Sequence, residues 1–123
     1  MIDDISKDLF KIELPLPDNP LMSVNCYLIK GRDRSLLIDT GMNRKECIEE
    51  MLKDLKRINI SLDRTDLFIT HLHSDHIGLA SKLRTETSKI YFNSFMTLPN
   101  FFLCVGFQLS WYVFTISHSS SGK

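Results

Sequence analysis

Charged residues are missing from one end of this chain of 123 residues. Basic and acidic residues balance at 15 each over the whole sequence, but none lies between residues 90 and 122. Zero net charge does not indicate a nucleic-acid partner. Nine of the twelve aromatic residues lie between Tyr91 and Phe114, so this end also differs in composition. We therefore predict a domain over residues 1–93 and an uncharged, aromatic-rich tail over residues 94–123.

Cysteine is scarce, and the first residues carry no targeting pattern. Cys26, Cys47 and Cys104 are odd in number and lack C-x-x-C spacing, which favours free, buried thiols in a reducing compartment. The first eight residues contain no cationic segment that leads into an apolar core, so we expect no secretory signal. Together these features predict a cytoplasmic protein.

The tail contains no apolar run of the length that a membrane span needs. Residues 101–116 are interrupted by Gly106, Gln108 and Ser110, whereas a spanning helix needs about 20 mainly apolar residues. A membrane partner is therefore not favoured. Three alternatives for the tail stay open: a segment foreign to the fold from a truncated or frame-shifted reading, a buried pair of strands, and a membrane anchor.

Apolar periodicity predicts the order β-β-β-α-β-α-β over the first part of the chain. The strands are predicted over residues 9–14, 22–29, 35–39, 67–70 and 89–93, with a hairpin turn at 30–34. Helices are predicted over residues 43–59 and 77–84. In the first helix, Asn43 and Glu46 suit a capping box, and Glu49 and Lys53 suit an i,i+4 ion pair.

Three of the four histidines follow directly after one predicted strand. Side chains two residues apart at a strand end point the same way, so His71 and His73 are predicted to reach one metal. Asp75 and His76 lie where the chain turns toward a helix, and they are predicted to address a second metal about 3.5 to 4 Å from the first. Imidazole and carboxylate are zinc ligands, and the lack of nearby cysteine argues against a closed structural site.

Residues 70–78, Thr-His-Leu-His-Ser-Asp-His-Ile-Gly, resemble the Thr-His-x-His-x-Asp-His-x-Gly signature of the metallo-β-lactamase superfamily. This superfamily of hydrolases includes glyoxalase II-like thioesterases, lactonases and nucleases. Residues 25–29 and 37–41 also resemble its opening pattern. The resemblance covers roughly residues 9–93 and implies an α+β fold, the amino-terminal half of an αββα sandwich. It implies zinc, up to two ions, because His73 stands where the diiron branch typically carries glutamate; iron or manganese is less expected.

The resemblance implies a metal-dependent hydrolase of small-molecule esters, thioesters or lactones. Asp75 would orient the attacking water or assist proton transfer, as well as hold metal. The family also needs a third histidine, for which His118 is the remaining candidate, then an aspartate and a last histidine. No aspartate follows Asp75 and no histidine follows His118. We therefore expect weak metal binding, and weak or absent activity of this chain alone.

Three further points remain open at this stage. Asp39 can serve either as a turn residue or as a hydrogen-bond partner that orients the ligand loop. A truncated, non-catalytic relative that acts as a binding module through its aromatic tail is the alternative function. A half-sandwich with an exposed apolar face is also expected to self-associate.

Overall fold

The computed structural model describes residues 1–93. A six-stranded sheet holds its strands side by side in chain order. The strands are β1 (Ile2–Ser6), β2 (Leu9–Pro15), β3 (Ser23–Ile29), β4 (Ser35–Ile38), β5 (Thr65–Ile69) and β6 (Ile90–Phe92). Pairing is antiparallel from β1 to β4 and parallel from β4 to β6. The antiparallel β3–β4 pair confirms the predicted hairpin.

Within residues 1–93, three helices accompany the sheet: α1 (Lys45–Arg57), α2 (Ser74–Ile77) and α3 (Ala80–Leu83). A single 3-10 turn, Leu62–Arg64, leads into β5. Helix α1 contacts β2, and α2 contacts β3. Over residues 1–93, no helix is both long enough and apolar enough to cross a membrane.

Alternating burial along the central strands builds the core. Phe10, Ile12 and Leu14 are buried on β2, while the residues between them are partly exposed. This alternation follows from the two-residue period of a strand, and each large apolar side chain that is buried contributes about 1.5–3 kcal/mol. Cys26 and Cys47 are buried and free, which confirms the prediction for these two cysteines; Cys104 lies outside the described residues.

Strand β1 was not predicted from the sequence. Its residues, Ile-Asp-Asp-Ile-Ser, lack apolar alternation, because β1 lies at the edge of the sheet and three of its five residues are exposed. Pairing with β2 holds it in place, and the Lys11 ammonium lies 3.1 Å from the Asp3 carboxylate across the two strands. An edge strand of this kind depends on its neighbour rather than on its own hydrophobic pattern.

The predicted capping of α1 is wrong. The helix begins at Lys45, two residues later than predicted, and Arg44 occupies the N-cap position in an extended conformation. No side chain makes a cap hydrogen bond there. The capping box of Asn43 and Glu46 therefore does not form, because Asn43 lies one residue before the N-cap.

The predicted ion pair on α1 is also replaced. Lys53 pairs with Glu50 at 3.2 Å, and Glu49 pairs with Lys45 at 3.7 Å. Both i,i+3 and i,i+4 neighbours lie within reach on a helix surface. Glu50 also accepts a hydrogen bond from the Met1 ammonium at 3.1 Å, so it is held where Lys53 can reach it.

The second predicted helix, residues 77–84, is two short helices instead. Helix α2 begins three residues earlier, at Ser74, and α3 begins only at Ala80. The break lies at Leu79, whose backbone N–H donates to the Gly41 carbonyl at 3.0 Å instead of continuing the helix. A contact between distant parts of the chain therefore overrides the local helical pattern.

An arginine joins β4 to the following two strands at the end of the sheet opposite the histidines. Arg34 donates to the Asp66 carboxylate, with a shortest distance of 2.7 Å, and to the Thr87 carbonyl at 3.0 Å. Asp66 also accepts the Lys89 backbone N–H at 2.9 Å. The Arg34 guanidinium holds the pKa of Asp66 below its ordinary value, although burial opposes the shift.

We expect the Asp66 ion pair to make stability depend on pH in the acid range. Because the folded-state pKa is lowered, the stabilisation is fully present above the unfolded carboxyl pKa of about 3.9 and is lost as pH falls through the folded value. The melting temperature of the wild type should exceed that of Asp66→Asn near neutrality, and the difference should shrink on acidification. Asp33→Asn, at an exposed turn, is the matched control. A difference that stays constant with pH would contradict this role.

Candidate metal centre

The site lies where two parallel strands end side by side. Asp39 follows β4 and Thr70 follows β5, and the register pairs Ile38 with Phe68. The Asp39 backbone N–H donates to the Phe68 carbonyl at 2.8 Å, which extends the ladder by one bond. Because the carboxyl ends of parallel strands meet at the same edge, Asp39 and the histidine loop come together although Thr70 lies 31 positions after Asp39 in the chain.

A sharp bend turns the Asp39 side chain into the site. Asp39 has a φ of 61°, in the left-handed region, and Gly41 has a φ of 95°. Aspartate tolerates this region better than most residues, and glycine adopts it without steric cost. The bend ends β4 one residue before its predicted limit and leaves the Asp39 side chain only 7% exposed.

The same bend fixes the position of α2. The Thr40 backbone N–H and its hydroxyl both donate to the His76 carbonyl, each at 2.8 Å. Gly78 is pressed against backbone, because a Cβ there would lie 2.6 Å from the Asn43 nitrogen and 2.8 Å from the Gly41 oxygen. The Asp39 bend and α2 therefore form one interlocked unit that sets the place of His76.

Asp39 accepts three hydrogen bonds from the histidine loop. Its Oδ1 accepts the Thr70 backbone N–H at 2.9 Å, and its Oδ2 accepts the Thr70 hydroxyl at 2.7 Å. Nδ1 of His76 lies 2.8 Å from the same Oδ2. A carboxylate in this position fixes the orientation of an imidazole, as partners of metal-binding histidines do. Of the two alternatives for Asp39, the structure therefore shows the hydrogen-bond partner of the ligand loop.

Three side chains form a cluster that could hold a metal ion. Asp39, His71 and His76 each offer one ligand atom, and these atoms lie within 4.8 Å of one another. The rings of His71 and His76 are close, with centroids 3.8 Å apart. The structure thus brings together two of the predicted ligands with Asp39, which sequence reasoning did not count as a ligand. The sequence signal of its involvement was the resemblance of residues 37–41 to the superfamily's opening pattern.

Asp75 lies beside His76, although it is not part of the Asp39, His71 and His76 cluster. Oδ2 of Asp75 lies 3.4 Å from Nε2 of His76. Two ligand atoms bound at about 2.0–2.1 Å to a tetrahedral ion lie about 3.4 Å apart, so this spacing fits a shared metal.

The remaining predicted ligands lie outside the cluster. His73 is exposed, and its ring centroid lies 4.9 Å from that of His71 with the rings nearly perpendicular. It occupies the N-cap position of α2 and makes no side-chain cap hydrogen bond. His118 lies outside the described residues. The assignment of His73, Asp75 and His118 as ligands therefore stays a prediction.

The electrostatics of His71 suit metal binding. Burial lowers the pKa of His71, and the neighbouring His76 lowers it further. Only the neutral imidazole offers a free nitrogen lone pair, so a lowered pKa favours the ligand form near neutral pH.

The described cysteines do not supply ligands to this cluster. Burial raises the pKa of the Cys26 thiol, and it also raises that of Cys47. The Cys47 thiol donates to the Pro15 carbonyl at 3.1 Å. Because the thiolate is the form that binds metal, protonated thiols such as these are inert in that role.

A comparison with protein-family models identifies the family of this chain. A family model described as the metallo-beta-lactamase superfamily matches residues 19–112, which is more than half of the chain. The match extends past residue 93 into the predicted tail, whose boundary at residue 94 stays a prediction. No curated protein sequence matches the chain significantly.

Solved structures show the same fold over part of their length. A metallo-beta-lactamase family protein from Thermus thermophilus matches with a TM-score of 0.60 and 26% identity, over 67% of this chain and 28% of its own. The metallo-beta-lactamase GOB-18 from Elizabethkingia meningoseptica gives 0.57 and 23%, over 73% and 31%. FIM-1 from Pseudomonas aeruginosa, solved in a mono-zinc form, gives 0.62 and 17%, over 78% and 42%.

These matches show both the type of fold and how much of each matched structure this chain covers. The chain spans between 28% and 42% of the length of these three structures. The mixed sheet with its helices confirms the predicted fold class, an α+β half of the metallo-β-lactamase sandwich. The histidine loop, the Asp39 bend that packs against it and the family match over residues 19–112 lead to one conclusion: the chain belongs to the metallo-beta-lactamase superfamily.

Proposed function

We propose that this chain provides the metal-binding part of a zinc-dependent hydrolase. One observation carries the proposal: His76 is held at Nδ1 by buried Asp39 while its Nε2 lies 3.4 Å from Asp75 Oδ2. A histidine whose one nitrogen is fixed by a carboxylate, and whose other nitrogen faces a second ligand oxygen, is typical of a metal ligand.

Each side chain has a distinct role in the proposal. His71 and His73 hold one zinc ion, with His118 as its third ligand, and Asp75 and His76 hold a second. The donor set, imidazole nitrogen and carboxylate oxygen, fits zinc. A bound zinc ion supplies Lewis-acid chemistry, which activates water and polarises the group under attack.

Asp75 is the proposed catalytic residue. Its side chain is 25% exposed, so water and substrate can reach it, whereas Asp39 is buried. A partly solvated carboxylate beside the histidines can orient the attacking water and accept its proton. Asp39 instead acts through His76, as a positioning residue.

The proposed substrates are small molecules with an ester, thioester or lactone bond. A glyoxalase II-like thioesterase is the finer reading of the loop motif, and the names of the matched structures add the β-lactam amide to the classes worth testing. Zero net charge gives no support for a nucleic-acid substrate. Because the chain spans only part of its relatives, turnover by this chain alone is expected to be weak.

Hydrolysis assays on the zinc-loaded chain test the proposal. We expect slow, zinc-dependent hydrolysis of at least one member of an ester, thioester, lactone and β-lactam panel. Asp75→Asn should lower the rate about a hundredfold or more, because general acid–base assistance contributes about 10²–10⁴-fold. Glu86→Gln removes a negative charge from an exposed position and is the matched control. Zinc binding without any zinc-dependent hydrolysis would favour the non-catalytic binding module.

A further inference from the structure

The Thr70 hydroxyl links the buried carboxylate to the first histidine of the loop. Oγ1 of Thr70 lies 2.7 Å from Asp39 Oδ2 and 2.9 Å from His71 Nδ1. The Thr70 backbone N–H donates to the other carboxylate oxygen, Oδ1, at 2.9 Å. Thr70 is therefore bound to Asp39 through both its backbone and its side chain. His71 itself has no described hydrogen bond to Asp39. The hydrogen-bonded connection between the carboxylate and His71 therefore passes through the Thr70 hydroxyl.

Counting protons fixes the direction of each hydrogen bond. An ionised carboxylate only accepts, and a hydroxyl has a single proton to donate. Thr70 Oγ1 must donate that proton to Asp39, so it can only accept a hydrogen bond from His71. Nδ1 of His71 must then carry the hydrogen, which leaves the lone pair of a neutral imidazole on Nε2. Asp39 imposes the same pattern on His76 directly, through Nδ1 at 2.8 Å.

We propose that Thr70 is a positioning residue that holds His71 as the Nδ1–H tautomer and presents its Nε2 to a metal ion. This inference rests on the proposed function, because it assigns a purpose to the tautomer. A single carboxylate thereby sets two imidazoles alike, one directly and one through a hydroxyl. Free histidine side chains favour the opposite, Nε2–H tautomer, so the effect is observable even in the absence of metal.

The substitution Thr70→Val tests the proposal most selectively. Valine keeps the β-branched form of threonine but has no hydroxyl, whereas Thr70→Ser keeps the hydroxyl. We expect long-range ¹⁵N–¹H correlation spectra of the metal-free chain, at about pH 8.5 where imidazole is neutral, to show Nδ1–H on His71 in the wild type and in Thr70→Ser. In Thr70→Val, His71 should move toward the Nε2–H pattern while His76 keeps Nδ1–H and serves as the internal control.

Zinc affinity provides an independent measurement. Competition with a chromophoric chelator should show affinity about tenfold lower in Thr70→Val, and restored in Thr70→Ser, as for other partners of metal-binding histidines. If Thr70→Val fails to fold by circular dichroism, Thr70→Ala replaces it in both measurements. An Nε2–H pattern on wild-type His71, or an unchanged pattern without the hydroxyl, overturns the proposal. If the wild type binds no zinc, the proposed function fails, while the tautomer measurement still decides the role of Thr70.

Discussion

Replacing Gly78 with alanine is expected to unfold the described domain or to destabilise it by about 3 kcal/mol or more. A Cβ at this position would overlap the Ser74 carbonyl oxygen and would lie 2.6 Å from the Asn43 nitrogen and 2.8 Å from the Gly41 oxygen. All three atoms belong to the backbone, so no side chain can rotate away. The loss of stability comes from this steric overlap and not from backbone strain, because Gly78 is in the right-handed helical region that alanine also adopts.

Chemical denaturation monitored by circular dichroism measures this effect. Ser81→Ala is the matched control, since Ser81 is exposed on α3 three residues away and its substitution should leave the free energy of unfolding almost unchanged. Gly78 lies at the contact between α2 and the Asp39 bend. Any Gly78→Ala protein that still folds should therefore also bind zinc more weakly. A variant as stable as the wild type would show that α2 and the bend are not packed as described.

Replacing Asp39 with asparagine is expected to damage both stability and metal binding. Asparagine has nearly the same size and tolerates the left-handed backbone at this position, so the backbone can stay as it is. Its amide, however, can no longer accept hydrogen bonds at both oxygens from Thr70 and His76. Loss of charge-assisted hydrogen bonds in a buried position should cost about 3 kcal/mol. Loss of the carboxylate that orients His76 should weaken zinc binding about 10- to 100-fold.

The two effects are measured on the same protein. Thermal melts of the metal-free chain give the stability, and chelator competition gives the zinc affinity. Asp33→Asn makes the same chemical change at an exposed turn between β3 and β4, and it should alter neither quantity. If Asp39→Asn lost stability but kept its zinc affinity, Asp39 would be a structural turn residue only. If zinc affinity fell in Asp33→Asn as well, the effect would be one of overall charge.

The histidine loop was predictable because its signal is local. Three histidines and an aspartate within six residues, directly after an apolar strand, indicate a ligand cluster without knowledge of the fold. Thr65–Ile69 is indeed the strand that delivers His71, within two residues of the predicted limits. The close approach of His71 and His76 follows from the same short stretch of chain.

The role of Asp39 could not be read from the sequence in the same way. It depends on the parallel pairing of β4 with β5, a long-range contact that places Asp39 beside Thr70. The division of the second predicted helix has a similar origin, because the N–H of Leu79 bonds to Gly41 rather than within its own helix. Periodicity describes neighbours along the chain, and these two features arise from neighbours across the sheet edge.

The zinc content of the loaded chain tests the central claim most directly. The chain is purified without added metal and equilibrated with zinc, and its zinc content is then measured by elemental analysis. Our account predicts about one equivalent or more in the wild type, and a large loss in His71→Ala and in His76→Ala, each still folded by circular dichroism. His118→Ala in the same series tests the ligand predicted from the sequence alone. Wild-type zinc below about a tenth of an equivalent, or zinc unchanged in both His71→Ala and His76→Ala, would contradict the assignment of this loop as a metal centre.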